Sequence, residues 1–239
     1  MRISEALNTV RKVVDFVQYH RLAKGDRLPS ERELSERFGV ARGAIREAFA
    51  ILDVLRFTER RPNSGVYLRA DLSESSIDTM VVQADIGIPL REQEVADLFE
   101  ARRLIEIQAL ALACERRDDK DLAKLRKILE SATAKITRGE SIATEDMEFH
   151  LAMIAAAHNN ILVRIVTPFY LISGKRRDVY FSDAAHCRRS HADHVEIVEA
   201  IAAKDRVRAL AVIERHLATV NAFWRDSLVV PVGDTQPAA

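Results

Sequence analysis

Four side chains in the rear half of this chain have the types and spacing to hold a metal ion. Asp146 and His150 are four residues apart in a helical stretch, so a carboxylate and an imidazole project side by side. His194 and His216 stand on two later helical stretches, which an antiparallel connection can bring to the same level of a bundle. One carboxylate and three imidazoles suit Zn²⁺ first, with Ni²⁺, Mn²⁺ or Fe²⁺ as alternatives. The competing structural reading is that these are satisfied core histidines, since seven histidines in 239 residues pair easily by chance. His191, three residues before His194, is the rival ligand. His158 and His186 read as loop or helix-end residues.

A second constellation lies in the front half. Arg42 and Arg46 are four apart near the start of a short helix, so both point the same way. That is where a recognition helix meets base edges in a major groove. Arg60, Arg61, Ser64 and Gly65 cluster at the tip of a hairpin suited to a phosphate or a minor groove. Arg32, in the first turn of the preceding helix, either reaches DNA or pairs with Glu36.

The elements that must position these residues follow from local pattern. Pro29-Ser30 starts a helix, and Ser30 with Glu33 has capping-box spacing. Leu34 and Phe38 share one face, Gly39 breaks the helix, and Val40 plugs the turn. A second helix from about Ala41 buries Ile45, Ala48, Phe49 and Leu52. Two short helices joined by a glycine turn make a helix-turn-helix. Phe57 to Arg61 and Val66 to Leu68 then read as two strands around the turn Pro62-Asn63-Ser64-Gly65, which is a wing. Ahead of all this, residues 3–19 form an amphipathic helix with Ala6, Val10, Val13, Val14 and Val17 on its stripe. From Arg91 onward the pattern is helical, over about 92–116, 119–137, 142–157, 160–173, 187–203 and 205–224, with 174–186 less regular. The fold class is therefore mainly α. An N-terminal winged helix-turn-helix with a small β-hairpin wing (1–69) precedes a linker (70–78), an antiparallel bundle of six or seven helices (79–228) and a tail (229–239).

Bulk numbers agree with that division. Residues 1–70 carry 14 Lys and Arg against 9 Asp and Glu, whereas residues 71–239 carry 22 against 27. A basic front half suits a polyanion and an acidic rear half does not. Cys114 and Cys187 are far apart and make neither a disulfide framework nor a metal pair. No secretory signal and no apolar run of ~18 residues is present, so a cytoplasmic protein with no membrane partner is expected.

The stretch LPSERELSERFGVARGAIREAF, with the glycine wing behind it, resembles the DNA-binding signature of the GntR family of winged-helix bacterial transcription regulators. The resemblance covers about residues 3–69 and implies DNA contacts for Arg32, Arg42, Arg46 and Gly65. Ala41, Gly43 and Ala44 stand where that family often has hydroxyl side chains, so the operator is read by fewer polar groups here. The segments EARRLIE, EDMEFH, ADHVEIVEAI and AVIERHL resemble, more loosely and over about residues 75–225, the FCD ligand-binding domain of the FadR branch. That resemblance implies Asp146, His150, His194 and His216 as metal ligands. It also implies Arg102, four before Glu106, as a grip for an effector carboxylate, against a plain Arg102–Glu106 pair or an inward-facing Arg103. Asn221 and Trp224 line the pocket or pack in the core.

Together these readings predict a dimeric regulator, acting as a repressor on palindromic operator DNA. A small organic acid at a metal site in the helical domain switches it. A metal-free regulator of an acyl-CoA-like or apolar ligand is the alternative. A metal-dependent hydrolase with Glu145 or Glu148 as base is a remote one, and the chain is not expected to be an enzyme.

Overall fold

The computed structural model describes residues 2–69, 76–88 and 90–228, with the side chains of 2–5 and 224–228 left undescribed. The tail at 229–239, most of the expected linker and the side chain of Trp224 lie outside the described residues. Two compact units are present, residues 1–90 and 91–239. No helix of the described residues is long and apolar enough to cross a membrane.

In the first unit, α1 (Arg2–Tyr19) buries the stripe read from its sequence: Ala6, Val10, Val13, Val14 and Val17. Helix α2 (Glu31–Phe38) starts in a complete capping box, with Ser30 Oγ accepting from the Glu33 amide and Glu33 accepting from the Ser30 amide. It stops at Gly39, whose left-handed φ of 64° costs a glycine nothing. Helix α3 (Arg42–Val54) buries Ile45, Ala48, Phe49 and Leu52. Its N-cap, Ala41, has the extended backbone of a cap but no side-chain acceptor for the free amides. Strands β1 (Thr58–Arg61) and β2 (Gly65–Leu68) pair antiparallel, Thr58 opposite Leu68 and Arg61 opposite Gly65. The stretch 25–28 also hydrogen-bonds along β2, through Gly25, Asp26 and Leu28 to Leu68 and Val66. Sequence pattern did not indicate that extra extended segment.

Helix α4 (Ile77–Ile86) corrects the expected domain boundary. Sequence pattern places the start of the rear domain at 79, whereas by contacts this helix groups with the first unit. Ile86 and Ile88 are buried in the core formed by α1 and α3, and buried Gln83 donates to the Leu55 carbonyl at 2.7 Å.

The second unit is a seven-helix bundle: α5 (Glu92–Arg116), α6 (Asp119–Thr137), α7 (Ala143–Ala155), α8 (Asn160–Ile172), α9 (Gly174–Tyr180), α10 (Ala184–Ala203) and α11 (Arg206–Leu228). Its main core joins Leu110, Leu125, Phe149, Met153, Ile197 and Ile213, from five of these helices. Asp118 caps α6 through the amides of Lys120 and Asp121, and Asp205 accepts from the Arg208 amide at the start of α11. The stretch expected to be irregular, 174–186, holds a two-turn helix and the start of α10.

Candidate metal centre and nucleic-acid interface

On the first unit, the two-helix turn sets Arg42 in the first position of α3 and Arg46 one turn later, both exposed. Among the described residues Arg42 has no ion-pair partner, so its guanidinium is free for a ligand. Glu31, at the start of α2, lies 3.9 Å from Arg46 Nε and 3.4 Å from Arg60 Nη2, between the recognition helix and the wing. This carboxylate was not singled out in the sequence, because only the fold brings β1 beside α2. Arg32 pairs with Glu36 at 3.6 Å on an exposed face, a contact that leaves it available. Arg61 meets Glu59 and covers the Tyr67 ring at 4.1 Å, while Ser64 Oγ bonds Tyr67 at 2.6 Å. Gly65 has φ +124°, and a Cβ there would lie 2.9 Å from Arg27 Nε. Gly43 has open space around it, so no crowding requires a glycine there.

In the second unit, α7 brings Asp146 and His150 together, α10 supplies His194 and α11 supplies His216. All four are buried, and one donor atom from each lies within 4.8 Å of every other. Asp146 Oδ1 is 3.6 Å from both His150 Nε2 and His194 Nε2. Donor atoms around one divalent ion sit roughly 3–4 Å apart. The Nε2 atoms of His150, His194 and His216 are buried with no hydrogen-bond partner. Three unsatisfied imidazole nitrogens beside a carboxylate are costly by themselves and fit a metal.

Carboxylates flank the outer faces of two of these histidines. Glu106 on α5 lies 2.8 Å from His150 Nδ1, although the alignment falls short of a hydrogen bond. Asp193 lies 3.4 Å from His216 Nδ1 and is itself held by Arg215 at 2.7 Å. Such partners would leave Nε2 free to hold a metal ion. His194 stacks on Phe149 with centroids 3.9 Å apart. Burial and the neighbouring imidazoles of His216 and His150 hold His194 far below its ordinary pKa, so it is neutral. Burial also lowers His216. Burial opposes charge on His150 too, but Glu106 and Asp146 outweigh it and raise its pKa. Burial opposes the charge on Asp146, but the adjacent His150, through hydrogen bonding and charge, outweighs it and keeps the carboxyl ionised.

Glu106 accepts from Arg102 Nε and from the Tyr170 hydroxyl, both at 2.5 Å, and Arg102 covers the Tyr170 ring at 4.4 Å. The two readings of Arg102 are therefore compatible, since it is paired with Glu106 and also lines the cavities beside the centre. One cavity, about 20 Å³, touches Asp146, His216, Arg102, Arg176, Arg177 and Tyr180. A cleft of about 700 Å³ between α5 and α11 is lined by Arg102, Arg103 and Asn221 and shares Phe99, Arg102 and Val220 with that cavity. Asn221 lines the cleft and not the small cavity itself. His191 bonds Thr133 at 3.0 Å and is not among the four clustered donors. His158 bonds Asp121, and His186 stacks on Tyr180. Of the possible hydrolytic bases, Glu145 is taken by Ser131 and Lys135, and Glu148 is exposed. Arg176, Arg177, Glu106 and Asp193 also lie beside the four clustered residues, and sequence pattern did not single them out as candidates. Only the i,i+4 spacing of Arg102 and Glu106 gave any advance signal.

Residues 6–68 match the bacterial regulatory proteins of the gntR family, and residues 97–219 match the FCD domain. The HTH-type transcriptional regulator LutR of Bacillus subtilis is 29% identical over 205 residues, covering 84% of this chain and 92% of that one. The Uxu operon transcriptional regulator of Escherichia coli is 26% identical, covering 82% and 77%. The HTH-type transcriptional repressor NanR of Salmonella newport is 28% identical, covering 87% and 81%. Among solved structures, the one described as "Lar controls the expression of the Listeria monocytogenes agr system and mediates virulence" superposes with a TM-score of 0.60 at 21% identity, over 91% of this chain and 94% of that one. E. coli McbR/YncC gives 0.55 at 17%, over 94% and 98%. These two likenesses bear on the fold alone.

Proposed function

The chain belongs to the gntR family of bacterial regulatory proteins, with an FCD domain behind its helix-turn-helix, and from that membership we propose that it is a repressor. In this reading it binds palindromic operator DNA as a homodimer and responds to a small organic acid bound beside a metal ion. The observation that carries the effector site is the set of three partnerless, buried Nε2 atoms facing Asp146. Repression is the reading closest to NanR, whose name says repressor.

Arg42 and Arg46 supply base contacts of about 1–3 kcal/mol each where they grip a guanine bidentately. Arg32, Arg60, Arg61, Ser64 and the Gly65 backbone position the phosphates, so affinity falls as salt rises. Asp146, His150, His194 and His216 would hold the ion, with zinc first among Zn²⁺, Ni²⁺, Mn²⁺ and Fe²⁺ for this donor set. When bound, the ion supplies a Lewis-acidic anchor for an oxygen of the effector. Arg102, buried and already oriented by Glu106 and Tyr170, grips a carboxylate. Effector binding then shifts the packing of the bundle, and a coupling of about 1–3 kcal/mol changes operator affinity by about 5- to 150-fold.

Elemental analysis of the purified protein beside the Asp146→Ala/His194→Ala variant tests the site. About one transition metal per chain is expected, and none in the variant. No metal in either, after incubation with Zn²⁺, Ni²⁺ and Mn²⁺, returns the histidines to the core and points to an apolar ligand. Arg46→Ala, measured alongside, is expected to lose operator binding and keep its metal. Retained operator affinity would place the recognition surface elsewhere.

A further inference from the structure

Arg176 sits on α9, the seven-residue helix between α8 and α10, and lines two small cavities that both also touch Arg102. One of these reaches Asp146 and His216 of the metal centre. Arg176 is half-buried, and among the described residues it has neither an ion pair nor a hydrogen bond. Burial alone acts on its charge, pulling its pKa down. Its neighbours are different. Arg102 is neutralised by Glu106. Arg177 is spent on the backbone, donating to the carbonyls of Ala143 and Tyr170 at 2.9 Å each. Arg176 is thus the cation of this wall with nothing assigned to it. The Tyr180 hydroxyl, on the same wall, is buried and completes no hydrogen bond, although Ser190 is close enough to act on its acidity.

The charge around the cavity points the same way. Arg102, Arg176 and Arg177 face two carboxylates, Glu106 and Asp146, which leaves one positive charge, and a divalent ion raises that to three. A monocarboxylate would leave most of this excess unneutralised in a poorly hydrated site, where unpaired charge is expensive. A ligand with two carboxylates removes two of the three charges, and one whose second end is a phosphate dianion removes all three; guanidinium is the side chain that grips carboxylate or phosphate bidentately.

We propose that the effector is a diacid: one carboxylate, with an adjacent oxygen, meets the Asp146/His150/His194/His216 centre and Arg102, and a second anionic group, carboxylate or phosphate, is gripped by Arg176 with the Tyr180 hydroxyl beside it. This rests on the reading of that centre as the effector site. The cavity, at about 20 Å³, has room for about one water, and Phe99, Arg102 and Val220 line both it and the cleft of about 700 Å³ between α5 and α11, so a ligand larger than a water extends from one into the other.

The test is calorimetric titration of the metal-loaded, full-length protein. Malate, 2-hydroxyglutarate and 2-hydroxyadipate are compared with 2-hydroxybutyrate, 2-hydroxyvalerate and 2-hydroxyhexanoate, partners that lack only the second carboxylate. 3-Phosphoglycerate against glycerate gives the phosphate case. At least one diacid is expected to bind about tenfold or more tightly than its monoacid. In Arg176→Gln that preference is expected to collapse below about threefold, with metal content and monoacid affinity unchanged. Equal binding of every pair, no diacid binding to protein shown to carry its metal, or a preference that survives Arg176→Gln would each overturn the proposal. Protein that takes up no metal fails the earlier reading instead, which separates the two failures.

Discussion

Glu106 makes three contacts at once: Arg102 and the Tyr170 hydroxyl at 2.5 Å, and the Nδ1 side of His150 at 2.8 Å. It is fully buried, and burial by itself would favour the neutral acid. Arg102 and His150 reverse that and hold the carboxyl well below the usual carboxylate range. One residue therefore links the arginine expected to grip the effector to a histidine expected to hold the ion. Glu106→Gln keeps the shape and removes the charge, leaving the Arg102 guanidinium buried and uncompensated. Breaking a buried pair from one side costs about 3–5 kcal/mol. Loss of a carboxylate behind a metal-binding imidazole costs about 10- to 100-fold in affinity. Denaturant unfolding of the apoprotein and zinc competition with a chelator are expected to show both losses. A variant with wild-type stability would mean that Arg102 finds solvent or another anion instead.

At the scale of elements, what the sequence disclosed was whatever is decided locally. The capping box at Ser30 and Glu33, the stop at Gly39 and the valine stripe of α1 each depend on residues within a turn or two, and each formed as read. Assignments that depend on a distant partner were not legible. Ile86 and Ile88 announce a core without saying which one, and α4 joined the front unit. The polar run GKRRDVY looked like a connection, yet as α9 it carries Arg176 and Arg177 to the wall beside the centre. Asp146 and the three histidines were recognisable as a set, whereas Glu106 and Asp193 behind them depend on how α5 meets α7 and how α10 meets α11. Helix α3 is the element with a local deficit. Ala41 has φ −64° and ψ 145° and caps nothing, whereas Asp118 satisfies two amides at the start of α6. Ala41→Ser is expected to supply the missing acceptor and to stabilise the first unit by about 1 kcal/mol. A rise in the denaturation midpoint of that unit, with an unchanged slope, is the expected result. No rise would show that the first turn of α3 is already satisfied by water. The added hydroxyl beside Arg42 also restores a side-chain type expected at this position, so its effect on operator discrimination is measurable in the same variant.

The whole molecule must present two reading heads to act on a palindrome, because a single head of this kind grips only a few base pairs. Joining two converts the second contact into an intramolecular one and multiplies affinity by about 10²- to 10⁴-fold. A surface that pairs two chains would lie outside the DNA-reading face. On the second unit, Leu104 of α5 and Ile161 and Ile165 of α8 are exposed, and these two helices pack on each other. Ile161 and Ile165 are four apart and share one face. Exposed apolar groups grouped on neighbouring helices are the kind of patch a second copy covers. The double variant Leu104→Glu/Ile165→Glu places a charge on each helix while leaving the metal ligands and Arg102 untouched. It is expected to sediment as a monomer, keep its helical circular dichroism and metal content, and lose about 100-fold or more in operator affinity. The loss should be smaller on a single half-site, because a half-site never gained from the second head. A variant that stays dimeric would move the interface to another face. A monomer that keeps full operator affinity would mean that one head suffices, and the palindromic reading would fall with it.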